Sequence, residues 1–412
     1  MEEQKRKSIS FVERLAFQIP TIILSSLTII AISRHLGPEG RGEISQVLLL
    51  SALASSILNT PIFLTIMHLK ESREIESFTL HKLFLFNRVL ILGMCAINTL
   101  FFVINIAKDQ DLSLPVILML NTLIILYFIT SQLRDLLIRL EQNRIYFLDF
   151  AIQVSISCLV FIFYQFKSLN VITVILSFNV AYSAYSMLLF KWVHTLSSEF
   201  RFRNIIRKTK GLKEREDKPK KHANFATSGL LFQLLLSKDS VICFLILTKY
   251  DFGLMSATAS FWIVLRFFRT SAFIHAKLPK NRLEEVKDLS MISRFKQDRN
   301  HGVYLQFLGI GLLGLLAYPL VPMIMGSGFR PSLTMVILGL ASEILLMRCL
   351  FDLSMSAQES KGNWIGILGL VQMVVLILLT SLGFSITIEV IWGSSVFIYA
   401  LWFFGRSLQV SK

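Results

Sequence analysis

The chain has 412 residues, 54% hydrophobic and 17% charged, with 34 phenylalanines and a formal net charge of +15. Soluble domains carry about 25% charge. A mean hydropathy of +0.62 excludes a large soluble helical protein, which would have to bury nearly every segment at once. The positive charge is read as membrane topology and not as a nucleic-acid footprint.

A bilayer core of ~30 Å needs about 20 apolar residues per helix. On that measure twelve spans are predicted, near 14–33, 43–66, 83–105, 113–133, 146–166, 169–190, 225–247, 252–274, 302–324, 332–350, 363–382 and 386–405. Met1 to Ser10 is short and charged and runs into the first span without a small-residue cleavage site, so that span is expected to be retained. Pro20, Pro61 and Pro115 fall inside or at the start of spans, where neighbouring helices can satisfy the freed carbonyls. Cys95, Cys158, Cys243 and Cys349 lie in or beside apolar segments, with neither metal spacing nor a disulfide framework.

Of the 42 Lys and Arg, 32 fall at the termini or in every second break between spans. Six fall in the alternate breaks (Arg34, Arg41, Lys108, Lys167, Lys249, Arg330) and four within spans (Arg88, Lys238, Arg266, Arg269). Cytoplasmic loops collect Lys and Arg, so both termini are expected in the cytoplasm. The longest polar stretch, 191–222, holds 11 of these cations and separates six spans from six. It is expected to be a cytoplasmic basic linker that can skim anionic headgroups. The even division predicts an N-terminal lobe over 1–190 and a C-terminal lobe over 223–412. The expected fold class is an all-α polytopic membrane protein with ~12 transmembrane helices in two pseudo-symmetric six-helix lobes, as in alternating-access transporters.

A charge in hydrocarbon costs several kcal/mol by most scales and needs a partner or a wet cavity. Lys238 and Asp239 are adjacent in the middle of the seventh span, a place for a cavity or an inter-helix pair. Adjacent residues point ~100° apart on a helix, so the two are not expected to neutralise each other. Arg266 and Arg269 in the eighth span are three apart and share a face. They either face the cavity or snorkel to the headgroups. Cavity-facing cations would suit an anionic substrate such as a diphosphate. Arg88 lies in the third span, and Gln132, Arg134 and Asp135 at the cytoplasmic end of the fourth form a structural salt bridge or a gate. Asn59, Asn98, Asn121, Gln153 and Asn179 are candidates for interhelical hydrogen bonds. Glu343 in the tenth span is a candidate proton site, or pairs with Arg348 or another helix.

The turn Ser33-Arg34-His35-Leu36-Gly37-Pro38-Glu39-Gly40-Arg41-Gly42-Glu43 joins the first two spans on the outer face. Gly and Pro do ordinary turn chemistry there. Two arginines on the cation-poor side also mark it as a gate or headgroup contact.

Three stretches carry a family resemblance: SRHLGPEGRGEIS after the first span, KDSVICFLILTKYDFGLMSATASFWIV in the seventh and eighth, and YPLVPMIMGSGFRPSLTMVILGL between the ninth and tenth. In these the chain resembles Wzx-type polysaccharide-biosynthesis flippases of the multidrug/oligosaccharidyl-lipid/polysaccharide exporter (MOP) superfamily. The Gly and aromatic residues of Tyr250-Asp251-Phe252-Gly253-Leu254 stand in a different order from the family pattern. The resemblance implies alternating-access translocation of an undecaprenyl-diphosphate-linked glycan across a bacterial cytoplasmic (inner) membrane, for O-antigen, capsule or exopolysaccharide synthesis. It implies substrate contacts at Arg34, Arg41, Lys238 and Asp239; the charges within spans add Arg88, Arg266 and Arg269 as candidate substrate contacts, and Asp239 and Glu343 as candidates for proton or sodium coupling. A polysaccharide polymerase is the implied partner. No cofactor, catalytic residue or metal is expected: the chain has no GxxxxGK[ST] phosphate loop, and its external breaks are too short for a catalytic domain. The alternative is a multidrug or small-solute antiporter of the same superfamily, whose cationic cargo would favour acids in the cavity.

A membrane-impermeant thiol reagent applied to intact cells is expected to leave a single cysteine at either terminus unmodified. Modification of either one contradicts the orientation.

Overall fold

The computed structural model describes residues 11–68, 114–139, 145–196, 238–262, 314–355 and 359–410, together with Gly93 and Gly311. All the regular structure among them is helical. Helix α1 (Phe11–His68) runs through the first two predicted spans and breaks at Gly37, with φ 68° and ψ −173°. That backbone region is essentially closed to residues with a β-carbon. The predicted outer turn is therefore the kink itself. Helices α2 (Leu114–Arg139), α3 (Ile145–Gln165) and α4 (Val171–Leu196) follow the predicted spans 113–133, 146–166 and 169–190. Between α3 and α4, Asn170 and Thr173 cap each other reciprocally, each side chain accepting the other's backbone N–H at 2.9 Å.

Residues 238–246 are helical, and Thr248 caps α5 (Lys249–Ser260) by accepting from the Asp251 N–H. Helix α6 (Ala317–Met325) contains Pro322 and ends at Gly326. Helices α7 (Leu333–Met355), α8 (Glu359–Ser381) and α9 (Ile388–Val410) match the last three predicted spans. The Ser332 hydroxyl opens α7 by accepting from the Met335 N–H at 2.9 Å. The 83–105 span apart from Gly93, the stretches 225–237, 263–274 and 302–310, and the basic linker beyond Leu196 lie outside the described residues.

Helices α1 to α4 pack on one another. Ile32 and Ile44 of α1 meet Ile156 and Val160 of α3 and Val174 and Ala181 of α4. The buried face of α2 is Leu120, Leu123, Ile124 and Phe128. Polar ties cross the same group. Thr28 and Ser157 are hydrogen-bonded at 2.7 Å, and Asn179 donates across to the Met119 carbonyl at 3.3 Å. Asn121, by contrast, donates to Ile117 on its own helix. Helix α9 packs on α7 and α8. Here the Trp262 and Trp392 rings, 5.4 Å between centroids, close over Gly339 of α7.

Phe161, Leu188, Val374, Leu378 and Phe397 are exposed on the outside of these helices. In water such a surface would be an aggregation liability, whereas hydrocarbon solvates it and helices satisfy their own backbones there. Among the described residues Pro20–Ser55, Leu114–Arg134, Phe147–Gln165 and Val171–Val193 are long and apolar enough to cross a membrane. The chain is an all-α polytopic membrane protein.

A β-carbon at Gly339 would lie 2.5 Å from ring atoms of both Trp262 and Trp392. Neither rigid ring can yield, so Gly339→Ala should cost about 1–3 kcal/mol, as overpacked cores do. Gly393→Ala, whose β-carbon would sit 3.7 Å from Leu338, is the neutral control. Thermal unfolding of the purified protein should show a lowered midpoint for the first variant only.

Candidate functional site

Helix α5 crosses α1 just beyond the kink, and the two main chains touch. A β-carbon on Gly42 would lie 1.8 Å from the Lys249 carbonyl oxygen, and one on Gly253 would lie 1.9 Å from the Pro38 carbonyl oxygen. Only hydrogen fits at either position, so two glycines set the closest helix approach, as small residues do between membrane helices.

That approach brings short polar side chains into register. The Ser45 and Ser256 hydroxyls are 2.8 Å apart, and the Arg41 guanidinium donates to Ser256 Oγ at 3.2 Å. Arg41 is 7% exposed. At the rim, the Lys249 ammonium pairs with Glu43 at 3.4 Å, both partly solvated. Arg34 is exposed and reaches over α6, donating from Nε to the Ile324 carbonyl at 2.7 Å and from Nη2 to that of Met323 at 3.2 Å. A cation on the last carbonyls of a helix is favourable, because those acceptors have no intrahelical donor and carry the negative end of the dipole. Tyr250 Oη donates to the Gly328 carbonyl at 3.0 Å, and a β-carbon on Gly328 would lie 3.3 Å from Pro38 Cδ. Parts of the three stretches quoted for the family resemblance, 34–45, 249–256 and 323–328, thus meet at one end of the molecule. Sequence spacing alone did not place them together.

A second polar cluster lies among 238–246, α7, α8 and α9. Lys238, 4% exposed, donates from Nζ to Asp239 Oδ1 at 2.7 Å, Gln372 Oε1 at 2.8 Å and Ser395 Oγ at 2.7 Å. These use all three ammonium donors. Ser342 donates to the other carboxylate oxygen, Oδ2, at 3.1 Å. The expectation that Lys238 and Asp239 point too far apart to neutralise each other is corrected by this geometry. The flexible four-carbon stem lets the ammonium curl back to its neighbour while α8 and α9 supply the other acceptors. Removing one partner of such a buried pair costs about 3–5 kcal/mol. Glu343, half-buried on α7, is next in sequence to Ser342.

The pair at the end of the fourth predicted span is a staple within one helix group. Arg134 donates from Nε and Nη2 to Asp149 of α3, the closest contact being 2.9 Å. Tyr185 of α4 donates to the same carboxylate. All three helices belong to the α1–α4 group, which favours the structural reading over the gate.

Of the predicted site residues, then, Arg34 and Arg41 meet at the α1–α5–α6 seam, whereas Lys238 and Asp239 lie in the separate cluster. Arg88, Arg266 and Arg269 lie outside the described residues. Sequence reasoning passed over Gly42, Gly253, Ser45 and Ser256 at the seam, and Ser342, Gln372 and Ser395 around the lysine. Small and hydroxylated residues in apolar spans were the available signal, and it is a faint one.

No family model matches the chain, and no curated protein matches it. Solved structures do. A multidrug-resistance MATE-family transporter of the MOP superfamily, in an outward-facing conformation, is 13% identical over 97% of this chain and 95% of its own, with a TM-score of 0.55. A MOP-superfamily transporter from Pyrococcus furiosus, described by the reversed polarity of its binding pocket and a suggested different function, is 14% identical, with coverage of 97% and 95% and a TM-score of 0.52. A MATE protein in complex with MaL6 is 12% identical, with coverage of 97% and 96% and a TM-score of 0.52. At such identities the likeness carries the fold: this chain is built like MOP-superfamily transporters of the MATE type. None of these three is described as a polysaccharide flippase.

Gly42→Ala and Gly253→Ala should each force α1 and α5 apart. In cysteine-free background, a Ser45→Cys thiol should then react faster with a small water-soluble maleimide than in the parent carrying both glycines. Equal rates would mean that the glycine contact does not hold the seam shut.

Proposed function

We propose that the protein is an alternating-access membrane transporter that moves a small organic solute against an ion gradient. The observation that carries this reading is the seam. Among the described residues, α5 packs closely on α1 through a glycine contact beside a shared apolar core, and the polar bonds across that contact are exchangeable. A hydrogen bond contributes about 0.5–1.5 kcal/mol net, and a partly solvated ion pair about 0–1 kcal/mol. Polar bonds of that strength can open and re-form, as those of a gate between lobes 1–190 and 223–412 must. On the charge pattern, the seam faces the outside of the cell and both termini face the cytoplasm.

Two considerations favour the small-solute reading over a flippase for an undecaprenyl-diphosphate-linked glycan. Two of the three solved structures named above are described as multidrug or MATE transporters. In addition, Arg34, Arg41 and Lys238 direct hydrogen bonds at protein acceptors in this conformation, so a diphosphate would have to compete for them. The flippase remains the second reading, supported by the three resemblance stretches. It would rest on Arg88, Arg266 and Arg269, with a polysaccharide polymerase as partner. In either case Asp239 and Glu343 are the intramembrane acids to which a coupling proton is assigned.

The test joins the two sides of the seam. Ser45→Cys and Ser256→Cys, introduced together into a background without the four native cysteines, place two thiols where the hydroxyls are 2.8 Å apart. In proteoliposomes with an imposed ion gradient, uptake of a fluorescent organic cation should stop on oxidation and return on reduction. Full uptake by demonstrably cross-linked protein would overturn the gate. In parallel, a lipid-linked oligosaccharide should remain in its leaflet. If it crosses and the organic cation does not, and if neutralising Arg266 and Arg269 stops the crossing, the flippase reading replaces the present one.

A further inference from the structure

The surroundings of Lys238 are those of a bound cation. Its ammonium is held by one carboxylate oxygen, one amide oxygen and one hydroxyl oxygen at 2.7–2.8 Å. The Tyr399 ring covers a further side, with its centroid 4.8 Å from Nζ. A ring face attracts cations through its quadrupole. Much of this shell is held by other bonds than those to the lysine. Gln372 Nε2 lies within hydrogen-bonding distance of Ser394 Oγ at 2.8 Å and of the Ile391 carbonyl at 3.2 Å. Because that carbonyl can only accept, the amide nitrogen must face it, and Oε1 points to the ammonium. Ser342 holds the far oxygen of Asp239, and Ser395 donates to the near one at 2.7 Å.

We propose that Asp239, Gln372 and Ser395 form a monovalent-cation site that the chain fills with its own lysine. The ligands are all oxygen, the set that hard cations select. One carboxylate balances one positive charge, which disfavours a divalent ion. An ammonium is close in size to a potassium ion, so potassium is the alkali cation that fits the spacing best. The tether gives the lysine a very high effective concentration at the site, and an external cation does not displace it. Sodium or potassium therefore does not load at Asp239 in the native chain. The inference rests on the oxygen shell alone and does not depend on the transported cargo.

The experiment measures thermal unfolding of the full-length protein in potassium, sodium or choline chloride at equal ionic strength. The native protein should melt at the same temperature in all three. Lys238→Ala opens the site, and its midpoint should rise by several degrees, saturably, in potassium over choline, and by less in sodium. Adding Asp239→Asn to that variant should abolish the rise. Lys238→Ser serves the same purpose if the alanine variant does not accumulate. A potassium- or sodium-specific rise in the native protein would overturn the inference, because the site would then be open to external ions. It would also be overturned by a folded lysine-less variant that melts alike in all three salts, or by a rise that survives Asp239→Asn.

Discussion

At Gly42 and Gly253 two main chains lie so close that a β-carbon at either position would occupy the space of a carbonyl oxygen. This contact determines what else can meet at the seam. Serine hydroxyls are short, and Ser45 and Ser256 bond only because the backbones beside them touch. The same approach seats Arg41 against Ser256 and brings Lys249 to Glu43. The kink at Gly37 breaks α1 at the level where α5 begins and α6 ends.

The two polar centres are built for opposite purposes. At the seam the bonds join elements far apart in the chain and include partners that water can solvate when they part. Around Lys238 the bonds join elements of one packed unit, bury a full charge and satisfy every donor of the ammonium. The polar bonds of the first arrangement exchange readily with water, whereas the second would leave an uncompensated charge in hydrocarbon if it came apart. Motion is therefore expected at the α1–α5 contact and rigidity around 238–246, α8 and α9. This division between a soft joint and stiff bodies is what rigid-body alternating access requires.

Much of the architecture was legible as hydropathy, because length and apolarity alone define a membrane helix. Helices α2, α3, α4, α7, α8 and α9 fall where the spans were placed, and the Gly-Pro turn of the first two spans is the kink in α1. Asn179 makes the interhelical bond expected of an amide in a span. The pairings were not legible. Lys238 and Asp239 were read from helical geometry as diverging, because a backbone argument ignores the reach of a lysine stem and the pull of Gln372 and Ser395. Gly42 was read as a turn residue and Gly253 only as part of a reordered family element, and the role of both is packing. One chain carries no record of which glycine faces which carbonyl. Arg34 was rightly placed at the end of the first span, but its partners, two carbonyls of α6 some 290 residues away, leave no mark in local sequence.

The central claim is that the seam opens and closes. The exposed turn positions Lys167, between α3 and α4, and Phe384, between α8 and α9, belong to different helix groups at the seam end of the molecule. Spin labels at these two sites, with the protein in lipid nanodiscs, report the separation of the groups directly. The account predicts a short and a long distance population whose proportions shift when pH is changed or an organic cation is added. A single narrow distance, unmoved under every such condition, would contradict it.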